Sequence, residues 1–270
     1  MATRREKKGS SDTPDEPPTF PPTTPRRRRN RLQAAQAQRR ITRGKLLRAG
    51  YRLFAERGKD VVSVNDITDA AGVGFGSFYN HFESKDAFHE ALVAAFVEDI
   101  DARLDRRLAR SVDVAQRIAI TVRGAVERAG NDALWRRFLL REAFTGSFRT
   151  RGLEARLLDA IQRGLDTGRF RLLEPRVGSL ATAGGLIGVV AGALSRSEEG
   201  EGAPLASRVR ALGISTAATM LAALGLSAEE ARSIAERPLR GASQAASVKG
   251  TLQSDRSLVF GAEITDRPDG

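Results

Sequence analysis

The sequence predicts an all-α fold, and three observations carry that prediction. From Thr42 onward, apolar residues recur at the three- and four-residue intervals of a helix face. Ser, Asp and Gly stand where such helices must begin and end. No long stretch shows the alternation or the hairpin dipeptides of strands. At 270 residues the chain can bury a real core, in one large domain or two small ones.

Taken in order, the first 25 residues hold six of the ten prolines and few large apolar side chains. Such a segment buries too little surface to offset the entropy of ordering it. With the run RRRRNR (Arg26 to Arg31), residues 1–31 are expected to form a disordered basic arm. No apolar segment follows the arginines, so the pattern is not that of a secretory signal. LQAAQAQRR then reads as a helix extension. Leu46, Ala49, Gly50, Leu53 and Phe54 trace a core-facing stripe, and Gly58 sits where a left-handed cap would stop it. In SVNDITDAAG, Ser63 and Asp66 have the spacing of a capping box, and Gly72 closes a short second helix. Ser84 and Asp86 open a longer helix, with Phe88, Ala91, Leu92, Ala95 and Phe96 on its buried face. Further helices are predicted near 112–129, 132–145, 151–167, 177–195, 204–225 and 227–236, and a loose tail over 238–270.

Composition narrows the chemistry. Cysteine is absent, which removes disulfides and thiolate metal sites. Only His81 and His89 could serve as imidazole ligands or bases, so no catalytic residue, metal or cofactor is expected. Net charge is +11 and lopsided. Residues 1–45 carry 13 Lys/Arg against 4 Asp/Glu, and the remainder 31 against 29. The N-terminal end should therefore meet a polyanion, either nucleic acid or an acidic membrane surface.

Residues 72–88, GVGFGSFYNHFESKDAF, are the most distinctive stretch. Gly72, Gly74 and Gly76 are spaced G-x-G-x-G behind a helix, whereas a dinucleotide loop needs G-x-G-x-x-G between a strand and a helix. A helix-turn-helix fits better: a short helix ITDAA, a glycine turn, and a second short helix FGSFYNHF. Phe78 and Phe82 share one face and can anchor that second helix, while Tyr79 and His81 project elsewhere. The glycines leave its leading edge bare enough for a close backbone approach to DNA.

These residues resemble the DNA-binding domain of the tetracycline-repressor (TetR) family. The resemblance covers about 50 of the 270 residues, from Ile41 to Leu92. It implies a helix-turn-helix domain over 32–83 and an effector-binding and dimerisation domain over 84–237. It also implies a cytoplasmic, ligand-responsive repressor that binds a palindromic operator in double-stranded DNA as a homodimer. Tyr79, His81, Lys85 and Arg43 would contact phosphates. Phe75, Gly76, Ser77, Asn80 and Asn65 would face the bases. Trp135, Phe138, Leu139, Phe144, Phe148, Leu157 and Ile161 would enclose a pocket for an unknown small-molecule effector, and plain core packing is the competing reading of each. Val177 to Ser195 has 19 uncharged residues, with Gly184, Gly188 and Gly192 four apart on one face. That face suits either a membrane helix pair or close packing in water, and the resemblance favours a dimer interface without a membrane. A basic nucleoid-type protein without operator preference is the main rival.

Overall fold

The computed structural model describes residues 25–108, 113–146, 153–195 and 204–238. Ten helices and no strand occur among the described residues. They are α1 (Pro25–Arg57), α2 (Val64–Ala71), α3 (Phe75–Tyr79), α4 (Lys85–Leu108) and α5 (Val114–Asn131), followed by α6 (Ala133–Glu142), α7 (Leu153–Asp166), α8 (Pro175–Ser195), α9 (Leu205–Ala223) and α10 (Ala228–Glu236).

Two compact units divide between Arg39 and Arg40. In the first, the described residues 25–39 are helical, and the side chains from Arg29 onward are exposed. Of the expected disordered arm, residues 25–31 are helical instead. Helix begins at Pro25, whose fixed φ and missing N–H suit a first helical position, and Gln and Ala then sustain it. Residues 1–24 lie outside the described part.

In the second unit the predicted stripe is the observed one. Leu46, Ala49, Leu53 and Phe54 are buried, and Gly50 is buried because the ring of Phe88 lies on it. A Cβ at Gly50 would come within 2.3 Å of Phe88 Cζ, so only glycine permits this crossing of α1 and α4. Gly58 has φ +85° and ends α1, donating its N–H to Phe54 O at 2.9 Å. Ser84 caps α4 by accepting from the N–H of Ala87 at 3.0 Å.

Helix α5 is the hub of the C-terminal part, packing against α4, α6, α7, α8, α9 and α10. Its Arg123, buried, donates through one terminal nitrogen to the carbonyls of Ala235 (2.7 Å) and Arg237 (2.6 Å), closing the exposed end of α10. Arg169 in the α7–α8 loop pairs with Asp113 at 3.3 Å and Glu230 at 2.7 Å, tying that loop to the starts of α5 and α10. Next to it, Phe170 folds over Gly164 and is 2 % exposed. The predicted helices of this region are all present, with α6 ending at Glu142 rather than near 145.

Candidate nucleic-acid interface and regulatory core

The turn between α2 and α3 is built from local hydrogen bonds. Ser63 Oγ accepts the N–H of Asp66 at 3.1 Å, and the Asp66 carboxylate accepts the N–H of Ser63 at 2.7 Å. Both halves of the capping box are therefore present. Hydrogen bonds from the Ser63 hydroxyl and then its N–H hold the Asp66 carboxyl below its usual range. At the other end Gly72 adopts φ +62°, and its N–H reaches Asp69 O at 3.1 Å. The N–H of Val73 reaches Thr68 O at 3.0 Å, and the chain turns sharply into α3.

Helix α3 is only five residues long, so packing has to hold it. Phe78 does so. It is fully buried, with ring centres 5.5 Å from Phe82 and 5.4 Å from Phe88. Phe54 closes the cluster edge-on to Phe88. With Phe78 inward, the remaining positions turn out. Phe75 is 52 % and Tyr79 51 % exposed, and Gly76, Asn80 and, on α2, Asn65 are exposed as well. Ser77 and His81 are half-buried.

Two of the expected phosphate-binding cations have work inside the fold. Arg43 lays its guanidinium 4.5 Å from the centre of the Phe82 ring. Lys85 donates to the carbonyls of Lys59 and Val62, both at 3.1 Å, and so fastens the α1–α2 loop. The motif gives no hint of that second duty, because its partners lie 26 and 23 residues away.

The residues expected around an effector differ in burial. Trp135, Phe138, Leu139, Leu157 and Ile161 are buried, but the aromatic ones pack ring on ring. Phe138 stands 4.8 Å from Phe96 and 5.1 Å from Tyr51, and Trp135 stands 5.5 Å from Phe96. Phe144 differs from these. It is 73 % exposed, because α6 ends two residues earlier and the following turn points it at solvent. Phe148 lies outside the described residues.

Sequence reasoning missed the polar groups inside this core. His89 Nε2 and Glu142 Oε2 meet at 2.9 Å, each side chain 6 % exposed. Asp99 is buried and receives Arg103 at 2.8 Å and Arg128 at 3.4 Å, and Arg128 also reaches Asp132 at 3.3 Å and lies over Trp135. Burial, then the nearby Asp132, raises the Tyr51 hydroxyl far above its ordinary range. One clue was legible: His89 shares the face of Leu92 and Phe96. Its partner was not, since Glu142 is 53 residues away.

On α8, Leu186, Ile187 and Val190 are buried, whereas Gly184 and Gly188 are exposed, and a Cβ on either would meet nothing within 4 Å. Gly192 is half-buried. Beside this face, an open groove of about 890 Å³ runs between α8 and α9, floored by Gly185, Thr216 and Met220. No described helix is long and apolar enough to cross a membrane.

Known proteins share this architecture. A family model for bacterial regulatory proteins of the tetR family matches residues 46–92, and one for the tetracyclin repressor-like C-terminal domain matches 113–237. The crystal structure of RolR in complex with resorcinol is 32 % identical, with a TM-score of 0.54, and the match covers 76 % of this chain and 97 % of that one. The transcriptional repressor KstR2 of Rhodococcus jostii is 38 % identical over 71 residues, 26 % of this chain and 35 % of its own. The repressor DhaR of a Mycobacterium species is 44 % identical over 63 residues, 23 % of this chain and 32 % of its own. The chain thus spans about a third of the length of these curated relatives. Both family models fall within the compact body from Arg40 onward, and RolR is matched almost end to end; this chain belongs to the TetR family of bacterial regulatory proteins.

Proposed function

We propose that the protein is a ligand-responsive transcriptional repressor of the cytoplasm, binding a palindromic operator as a homodimer. The helix-turn-helix domain is assigned to residues 32–83 and the effector and dimerisation domain to 84–237. The observation that carries this reading is the α2–Gly72–α3 unit, with Phe78 anchored and Asn65, Phe75, Tyr79 and Asn80 turned outward. In that arrangement α3 enters the major groove, and a two-fold partner places a second copy ~34–36 Å along the duplex. The glycine face of α8, open in the single chain, supports a partner there. A resorcinol-bound relative supports control by a small molecule. An effector that prefers a conformation with another helix spacing must lower operator affinity, because the coupling is reciprocal.

Tyr79 and Asn80 separate positioning from readout. Tyr79→Ala is expected to weaken binding to all operator variants by a similar factor, since phosphate contacts carry no sequence information. Asn80→Ala should instead reorder variants at one or two base pairs, each worth ~1–3 kcal/mol. A competition assay over single-base operator variants reads both, and an unchanged ranking for Asn80→Ala refutes this recognition face. A nucleoid-type protein would show no ranking at all.

The basic N-terminal segment supplies the salt dependence. Deleting residues 1–31 should flatten the slope of log affinity against log salt by ~2–4 units per subunit, at ~0.9 for each phosphate no longer neutralised. Parallel salt titrations of the full-length and truncated proteins would leave that segment no part in DNA binding.

A further inference from the structure

Phe75 and Tyr79 lie four residues apart on α3, with ring centres 5.4 Å apart and the planes inclined at 65°. Tyr79 in turn meets Phe78 edge-on at 5.4 Å, and Phe78 is fully buried. The outermost ring is therefore linked to the core through two others, which limits its rotation. Single exposed aromatics are ordinary on a protein surface. The glycines around this one are not. Gly74 has φ −68° and ψ 149°, which any residue can adopt, and neither it nor Gly76 has a positive φ. A Cβ on either would meet nothing within 4 Å. At Gly76, inside the helix, alanine would stabilise the chain. The fold gains nothing from the bare backbone beside Phe75, so its use lies outside the chain. Over residues 74–78 the only side-chain hydrogen-bond donor is the Ser77 hydroxyl. The leading end of α3 is thus apolar, and the apolar feature of the major-groove floor is the thymine 5-methyl group.

We propose that Phe75 reads a thymine methyl in each operator half-site, with Gly74 and Gly76 admitting the base edge. This rests on the operator-binding reading above and names the chemistry that the α3 end selects. An operator is first selected from a random duplex pool with the full-length protein. Each thymine is then replaced in turn by deoxyuridine, which removes only the methyl group. One thymine per half-site should show a loss of about fourfold, the transfer value of one buried carbon. In Phe75→Ala, whose change is confined to an exposed ring, that position should become indifferent to the methyl. Placing cytosine there should weaken wild-type binding, and 5-methylcytosine should recover part of the loss. An enriched operator with no methyl-sensitive thymine, or one whose sensitivity survives in Phe75→Ala, overturns the methyl reading alone. A pool that yields no enriched sequence overturns the operator reading with it.

Discussion

Replacing His89 with leucine is expected to destabilise the protein by about 1–3 kcal/mol, the usual cost of leaving a buried polar group without its hydrogen-bond partner. Among the described residues, the substitution leaves the buried Glu142 carboxyl with only the Thr145 hydroxyl, at 3.4 Å, as a side-chain partner. Leucine matches histidine in size, so a void is not the cause. The double variant His89→Leu/Glu142→Leu removes both polar groups and should recover most of the loss, since replacing both partners by apolar groups of similar shape is often nearly neutral. Urea unfolding of the two single variants and the double variant tests this, with midpoints compared at an unchanged slope. A double variant as unstable as the singles would show that shape, not the hydrogen bond, governs the site.

Gly188→Leu is expected to abolish the proposed homodimer while leaving the subunit folded. The position is exposed and its Cβ direction is empty within the chain, so the branched side chain meets no obstacle inside one subunit. Against a partner packed on that smooth face, overpacking costs ~1–3 kcal/mol per subunit, applied twice by the two-fold axis. The dimer constant would weaken by at least ~30-fold, at 1.4 kcal/mol per decade, and operator affinity would fall with it although α8 is not part of the DNA-reading unit. Sedimentation and operator titration read the two effects, and circular dichroism checks the fold. An unchanged dimer with ordinary affinity would move the interface to another face.

Much of the fold is legible in the sequence because it is locally encoded. The Ser63–Asp66 box, the positive φ at Gly58 and Gly72, and the buried stripe of α1 each depend on residues within one or two turns of each other. The aromatic anchor Phe78 is readable for the same reason. What stays hidden is non-local. Lys85 looks like a free cation until its carbonyl partners on the preceding loop are seen. Phe144 looks like one more apolar residue of α6, and a helix end two residues before it turns it outward. The start of α1 departs in the opposite direction: proline- and arginine-rich composition suggests disorder, whereas Pro25 and the Gln/Ala run favour helix.

Arg141, the residue just before Glu142, donates from Nε to the carbonyl of Ala55 at 2.9 Å and from a terminal nitrogen to that of Glu56 at 3.0 Å. Those carbonyls are among the last of α1, which the helix itself leaves without donors. The end of the first DNA-binding helix is thus completed by a side chain of α6, and Glu142 beside it meets His89 on α4. A boundary near residue 83 therefore separates roles, not folding units. From Arg40 onward the described residues form one compact body, and the helix-turn-helix borrows its terminal hydrogen bonds from the part that would sense the effector. Cut out as an isolated fragment, it would keep its sequence motif and lose the cap that finishes its first helix.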